Sequence, residues 1–346
     1  MSEAGDREAV HSVVGEEPDA TALSPEGPEA ASDGDETVDF ANKPERKKSD
    51  LALRLGTAAV LIPFVLWIIS VGGWPYTGVV MLFGLIAQFE FYNMIESKGA
   101  KPLRLWGIGF GAAVMAVAYF GSEYSATLLM TASLLVMMVA QLRKAQISES
   151  LASISGTFFG VFYVAWLISH AILLRNFDHA IGQQFGTDAV AALGITPETG
   201  IFLMIYTLAA VIGCDAGAYF AGRAWGKRPL APEVSPNKSV EGAIGGVVAG
   251  IACASLIKLI FDLLWPEMSA AMPWAIVVPF AFVLTIVGII GDLVESLLKR
   301  DADMKDAGSL LPGMGGVLDR IDAPLLGFPA IYYMLIGWAT YRLAGL

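Results

Sequence analysis

The fold class of this chain is decided by residues 273–298, which read PWAIVVPFAFVLTIVGIIGDLVESLL. The first 19 of these residues carry no charge, and about 20 helical residues suffice to cross a hydrocarbon core. Apolar and polar residues do not alternate as they would in a barrel strand, and lipid cannot satisfy an open backbone. The stretch therefore predicts a transmembrane helix with two carboxylates, Asp292 and Glu295, close to its end.

Eight other apolar stretches of similar length show the same pattern. Together the predicted spans cover residues 51–71, 74–95, 105–121, 124–141, 155–175, 200–222, 242–264, 273–298 and 324–344. The composition agrees, because 55% of residues are hydrophobic and 16% are charged, whereas soluble domains carry about 25% charged residues. The predicted fold class is an all-α polytopic integral membrane protein with about nine transmembrane helices.

The net charge of −11 is concentrated at the N-terminus. Residues 1–42 hold 12 acidic residues and one basic residue, Arg7, so the remainder of the chain is electrically neutral. Such a composition predicts that residues 1–50 form a disordered acidic tail with a basic juxtamembrane end. The neutral body carries no nucleic-acid footprint. The two cysteines, Cys214 and Cys253, lie in apolar runs, which excludes a disulfide framework and a Cys-rich zinc site.

The distribution of Lys and Arg predicts the orientation. With a cytoplasmic N-terminus, 19 of the 22 basic residues fall in cytoplasmic segments, and nine spans place the C-terminus outside. We divide the membrane region into an N-terminal bundle at 51–175, an external loop at 176–199 and a catalytic membrane domain at 200–346. The polar cytoplasmic loops 223–241 and 299–323 then lie on one face.

A first group of candidate site residues begins with Asp215, which lies inside an apolar helix. An ionisable residue there costs at least about 2.5–3.5 kcal/mol unless it faces protein, water or an ion. A pair with Arg223 is the simpler alternative. The following loop is rich in cations and hydroxyls that can contact phosphate oxygens, although any membrane protein needs positive cytoplasmic loops. The candidate residues of this loop are Lys227, Ser235, Lys238, Ser239 and Glu241.

A second group lies at the end of the opening stretch. Asp292, Glu295, Ser296 and Lys299 project from one side of a helix, and a glycine-rich turn precedes Asp319, Arg320 and Asp322. Converging carboxylates are what a Mg²⁺ site shared with substrate phosphates requires. Salt bridges with arginine at the membrane surface are the alternative, and they suit Asp301, Asp303 and Asp306 best.

Two motif regions resemble those of the phosphatidate cytidylyltransferases, also called CDP-diacylglycerol synthases. One runs from Asp215 to Gly246. The other reads Ser296-x-x-Lys299-Arg300-x4-Lys305-Asp306, then Pro312-Gly313-x-Gly315-Gly316-x-x-Asp319-Arg320-x-Asp322. Met314 stands where the family usually has His. Because Met neither titrates nor binds Mg²⁺, we interpret this position as a turn and packing site.

The resemblance implies that CTP and phosphatidic acid react to give CDP-diacylglycerol and pyrophosphate for phospholipid biosynthesis, with Mg²⁺ and K⁺ as cations. The expected catalytic residues are Asp292, Asp319, Lys299 and Arg320. The expected metal ligands are Asp292, Asp319, Asp322 and Asp215. The expected substrate-binding residues are Lys227, Ser235, Lys238, Ser239, Glu241, Arg223, Ser296, Arg300 and Lys305.

We further expect a multi-pass protein of the plasma (inner) membrane whose active site faces the cytoplasm. Its expected partners are CTP, phosphatidic acid and the lipid bilayer. No nucleic-acid partner is expected, and a homodimer is possible.

Two other functions stay open. A CTP-dependent lipid kinase would use the same cationic groups on a related membrane fold. A transporter would also carry acids at the membrane midplane, but no inverted repeat is visible and the polar motifs lie at one face.

Overall fold

The computed structural model describes residues 48–143, 149–310 and 315–345. The predicted acidic tail up to residue 47 and the turn position Met314 lie outside these ranges. Helices α1 to α6 cover Lys48–Val71, Gly73–Ser97, Arg104–Phe120, Glu123–Gln141, Ser150–Phe159 and Leu167–Arg175, with a π-helical segment at Gly160–Trp166 between the last two. Helices α7 to α13 cover Phe177–Phe185, Thr187–Ala192, Thr199–Trp225, Val240–Leu264, Pro266–Ser269, Trp274–Asp301 and Leu318–Leu343.

The predicted all-α polytopic class is confirmed in outline. Within the described ranges, seven helices are long and apolar enough to cross a membrane, and α5, the π-helical segment and α6 form one of them. The two other predicted spans coincide with shorter apolar helices at Ala59–Val71 and Arg104–Phe120. Residues 176–199, predicted as an external loop, contain α7 and α8.

One element departs from the all-α prediction. Strands β1 (Pro229–Ala231) and β2 (Ser235–Ser239) form a short antiparallel hairpin within the predicted loop 223–241. The hairpin leads directly into α10, whose N-cap is Ser239, with its Oγ accepting the N–H of Gly242 at 3.1 Å. A side-chain cap of this kind fixes where the helix begins. The hairpin is consequently attached to the end of a membrane helix.

Close helix packing assembles the second half of the chain. At Gly213 of α9, a Cβ atom would stand 2.8 Å from the side chain of Cys253 on α10, so a larger residue would push the two helices apart. The helices α12 and α13 also pack against each other, and α13 contacts α2 and α6 of the N-terminal bundle. A shared apolar cluster that includes Phe91, Tyr163 and Leu318 joins the two halves. Residues from both halves therefore meet around the N-terminus of α13.

Candidate active site

Three carboxylates converge where α12 crosses the start of α13. The crossing depends on Gly291, because a Cβ atom there would stand 2.7 Å from the carbonyl oxygen of Asp322. The close approach brings Asp292 and Glu295, one helical turn apart on α12, against Asp322 of α13. One oxygen from each of these carboxylates lies within 4.8 Å of the others. We call this group the acid cluster.

The acid cluster has the donor set that a hard divalent cation prefers. All three residues offer carboxylate oxygens, as Mg²⁺ requires. Glu295 is fully buried, and among the described residues its Oε1 has no hydrogen-bond partner. Carboxylates this close repel one another unless a cation or a shared proton lies between them. The residues present fit a cation, and a proton shared between Glu295 and Asp322 is the alternative way to hold these carboxyl groups together.

Two lysines from different elements face the acid cluster. Lys238 of β2 forms an ion pair with Asp292, which attaches the hairpin to α12. Lys299 donates to Glu295 Oε2 at 2.8 Å and to Asp319 Oδ1 at 2.7 Å. The three acids of the cluster and the fourth beside it outnumber the two ammonium groups.

Asp319 is surrounded by donors and lies outside the group of three. Its Oδ1 accepts from Lys299, and its Oδ2 accepts the backbone N–H groups of Ala307 at 2.9 Å and Gly316 at 2.8 Å. Gly315 has a φ of +87°, and a Cβ there would stand 2.8 Å from Asp319 Oδ2. Asp319 thus ties the segment between α12 and α13 to the start of α13. Its predicted role as a metal ligand stays a prediction.

Asp215, the other predicted ligand, is near the acid cluster on a separate helix. Its side chain is exposed on α9. It interacts electrostatically with the acids Asp292 and Asp322 and with the cations Lys238 and Arg320. Residues of α9, the hairpin, α12 and α13 therefore share one electrostatic environment. The structure brings together the two motif regions that are about 75 residues apart in the chain.

Several predicted substrate-binding residues have structural partners. Glu241 accepts the backbone N–H groups of Lys227 at 3.0 Å and Arg228 at 3.2 Å, and it pairs with the Arg228 side chain. Ser239 is the N-cap of α10. The Glu241 and Ser239 side chains thus fix the turn that carries Lys227, whose own side chain is exposed.

The remaining predicted residues lie at the same ends of the helices. Ser296 is within 3.5 Å of Asp292 Oδ1, and Arg300 donates to the carbonyl oxygen of Val234 at 3.4 Å. The Arg223 guanidinium contacts the Tyr219 hydroxyl at 3.4 Å. The exposed or half-buried members of this set are Ser235, Arg223, Arg300, Lys305 and Arg320. Exposed cations beside a cluster of acids can meet an anionic substrate from the aqueous side.

Two residues of the site were missed at the level of sequence. Glu295 was recognised on the same side as Asp292 but was not proposed as a ligand. Glu90 of α2 was overlooked, although it is 5% exposed and accepts the N–H groups of Val317 at 3.1 Å and Leu318 at 2.9 Å. A carboxylate inside an apolar span was the available signal. Glu90 caps the N-terminus of α13 from the other half of the chain.

Comparison with known proteins identifies the family. The sequence profile of the cytidylyltransferase family matches residues 52–337, which include every element of the site. The chain belongs to the cytidylyltransferase family. The matched region begins after the acidic tail, so the family relationship rests on the membrane region of this cytidylyltransferase.

Individual relatives of this cytidylyltransferase span most of its length. A phosphatidate cytidylyltransferase of Bacillus subtilis is 30% identical over 296 residues, which cover 83% of this chain and 98% of the relative. One from Brucella suis is 33% identical over 286 residues, covering 83% and 93%. A chloroplastic phosphatidate cytidylyltransferase of Arabidopsis thaliana is 31% identical over 269 residues, covering 74% and 66%. The similarity therefore extends through both halves of the membrane region.

Proposed function

We propose that this protein is a phosphatidate cytidylyltransferase, which transfers the cytidylyl group of CTP to phosphatidic acid. A phosphate oxygen of phosphatidic acid attacks the α-phosphorus of CTP, the bond to the β-phosphate breaks, and CDP-diacylglycerol and pyrophosphate leave. The observation that carries this proposal is the acid cluster at the α12–α13 crossing, flanked by Lys238 and Lys299, in a chain whose family match spans the whole site.

Mg²⁺, with K⁺ as a second cation, is the cofactor in this proposal. Asp292, Glu295 and Asp322 would hold Mg²⁺, and Asp215 would influence it through its charge. When bound, Mg²⁺ neutralises charge on the phosphates and on the pyrophosphate as it leaves. Asp319 was expected to be a ligand as well, and in our proposal it positions Lys299 and the backbone before α13.

The chain's own cations reduce the repulsion between two anionic substrates. The phosphatidate oxygen is already ionised near neutral pH, so proton removal is a small part of the problem. Lys238 pairs with Asp292 and Lys299 pairs with Glu295 and Asp319, and both lysines can exchange a carboxylate partner for a phosphate oxygen. Arg320 and Lys227 are exposed and would bind the outer phosphates of CTP. Positioning and charge stabilisation then account for most of the rate.

The position of the site at the helix ends also indicates how the protein lies in the membrane. The protein is a multi-pass membrane protein, and we propose nine spans with the site facing the cytoplasm of the inner membrane. The site lies at the ends of membrane helices next to the segments 223–241 and 299–323, each of which carries four Lys or Arg residues. CTP is water-soluble and phosphatidic acid is a lipid, so a site at the interface admits both. A homodimer stays a prediction.

One assay tests the proposed reaction against its nearest alternative. Purified full-length protein is incubated with cytidine-labelled CTP, phosphatidic acid and Mg²⁺, and the lipids are extracted. We expect label in the organic phase and pyrophosphate in the aqueous phase. A CTP-dependent lipid kinase would instead release labelled CDP into the aqueous phase and form no pyrophosphate, and that result would refute our proposal.

A further inference from the structure

Tyr163, in the N-terminal half of the chain, belongs to the apolar cluster against which Val294 and Ile321 pack, and these two residues directly precede Glu295 and Asp322 in the sequence. It lies in the π-helical segment Gly160–Trp166, and such segments occur frequently at functional sites. The side chain is 4% exposed. Its ring stacks on Phe159 with centroids 5.2 Å apart, and Phe91 lies at 5.8 Å. The aromatic neighbours hold the ring and thereby fix the direction of the hydroxyl.

The Tyr163 hydroxyl is buried without a hydrogen-bond partner among the residues that the structure describes. A buried polar group in this state is unfavourable, and proteins rarely keep one without a reason. The carboxylates of Glu295 and Asp322 both act electrostatically on this hydroxyl. Glu295 Oε1 is likewise buried and unpartnered within the described ranges. Each half of the chain therefore contributes one buried polar atom, Tyr163 Oη and Glu295 Oε1, to the region where α12 and α13 cross.

We infer that Tyr163 is a positioning residue that donates a hydrogen bond to an oxygen ligand of the cation held by the acid cluster. This inference rests on the cation site of the proposed function. The oxygen belongs to a water molecule or to a CTP phosphate, and both present the same acceptor to the hydroxyl. An outer partner of this kind orients the inner ligands, and its loss typically costs about 10–100-fold in metal affinity. The phosphatidate itself needs no contact with Tyr163.

Removal of the hydroxyl separates this role from a merely structural one. In Tyr163→Phe the ring and its packing are kept and an unpaired buried group is lost. We expect the melting temperature of the full-length, detergent-solubilised protein in EDTA to be unchanged or higher. A residue with a structural hydrogen bond would show a lower melting temperature instead.

Binding of Mn²⁺, followed by the melting temperature across a titration, gives the decisive measurement. We expect the midpoint for Tyr163→Phe to rise about tenfold above that of the unaltered protein. A rise with Mn²⁺ alone identifies water as the oxygen ligand, whereas a rise that requires CTP identifies a phosphate oxygen. In steady-state assays the Mg²⁺ concentration for half-maximal rate should rise, while the rate at saturating Mg²⁺ largely recovers.

Tyr76→Phe is the matched control, because this tyrosine is equally buried but donates to the carbonyl oxygen of Ala171 at 3.0 Å. We expect it to lower the melting temperature and leave the Mn²⁺ midpoint unchanged. An unchanged midpoint in Tyr163→Phe, with and without CTP, would overturn the inference for Tyr163. If the unaltered protein itself shows no response to Mn²⁺ yet forms CDP-diacylglycerol, the cation site is wrong and this inference falls with it, while the proposed reaction stands.

Discussion

Two clusters of charged residues lie within the apolar helices of this protein, and their bonding differs. In the first, Lys258 of α10 pairs with Asp262 and lies 5.9 Å from the ring centroids of Phe202 and Trp274. Asp262 also accepts from Ser269 at 2.6 Å and from the Trp274 indole at 2.9 Å. Each charge of this cluster is compensated within it.

The acid cluster is not compensated in this way. Asp292, Glu295 and Asp322 face Lys238 and Lys299, and Lys299 is shared with a fourth acid. One Glu295 oxygen has no partner within the described part of the chain. The comparison teaches that an acid in a membrane helix is not by itself a sign of catalysis. An excess of acidic over basic residues and a carboxylate oxygen without a partner distinguish a candidate cation site from a cluster that fastens two helices together.

Asp292→Asn should have the largest effect on activity. The substitution removes a charged oxygen ligand but keeps the size of the side chain, so we expect turnover to fall on the order of 10³-fold, about 4 kcal/mol of transition-state stabilisation. The assay is incorporation of cytidine label into lipid. The melting temperature in EDTA should change little, since relief of the repulsion from Glu295 and Asp322 offsets the lost ion pair with Lys238. Activity near that of the unaltered protein at saturating Mg²⁺ would contradict the acid cluster as the metal site.

Asp319→Asn tests whether the fourth acid belongs to the metal site or to its support. We expect activity to fall about 10²-fold and the free energy of unfolding to fall by about 1–3 kcal/mol, because an amide cannot accept from Lys299 and two N–H groups as a carboxylate does. The Mn²⁺ midpoint should move less than in Asp292→Asn. An equal or larger shift of that midpoint, without loss of stability, would return Asp319 to the role of metal ligand.

Glu90→Gln should have a smaller effect on turnover. Glu90 holds the N-terminus of α13 through the N–H groups of Val317 and Leu318, and its charge also favours that end of the helix. We expect a loss of about 1–2 kcal/mol in stability and about tenfold in activity. Circular dichroism melts and the lipid assay measure the two effects.

Glu96→Gln provides the control on the same helix. Glu96 forms a half-exposed ion pair with Arg104, and exposed pairs contribute about 0–1 kcal/mol. We expect little change in stability or activity. If Glu96→Gln lowered stability and activity as much as Glu90→Gln does, the effect of Glu90→Gln would reflect the loss of any negative charge on α2. The hydrogen bonds from Val317 and Leu318 to Glu90 would then not be its cause.

Much of the fold was accessible from sequence because lipid restricts the backbone so strongly. The apolar lengths predicted all seven helices that are long enough to cross a membrane, while the hairpin at 229–239 was missed because its short strands lack an alternating pattern. Helical spacing placed Asp292, Glu295 and Lys299 on one side. The spacing could not show that Gly291 lets Asp322 approach them, because that contact depends on packing against α13.

Other parts of the site lay beyond sequence reasoning for a different reason. The partners of Asp319 and Glu90 are backbone N–H groups, which every residue but proline carries, so no side-chain pattern marks them. Glu90 also acts on residues more than 220 positions away. The family resemblance correctly indicated the reaction, whereas the ligand set for the cation stays a prediction that the Asp292 and Asp319 variants can test.

Lys258→Met should have the smallest effect on catalysis, and it tests the comparison at the compensated Lys258–Asp262 cluster. Methionine fills the space of the lysine stem but leaves Asp262 with Ser269 and Trp274 as its remaining donors. We expect a loss of about 2 kcal/mol in stability, below the roughly 3–5 kcal/mol of fully buried pairs, because the Asp262 side chain is 29% exposed.

The activity per folded molecule of Lys258→Met should stay within about twofold of the unaltered protein, a change of about 0.4 kcal/mol in transition-state stabilisation. The Mn²⁺ midpoint should not move either, because the described contacts of Lys258 are with Asp262, Phe202 and Trp274 and not with the acid cluster. The double variant Lys258→Met, Asp262→Asn should recover part of the lost stability, as it removes the charge that the first substitution leaves unpaired. A large loss of specific activity in Lys258→Met, with the fold intact, would show that internal compensation does not separate structural clusters from functional ones in this protein.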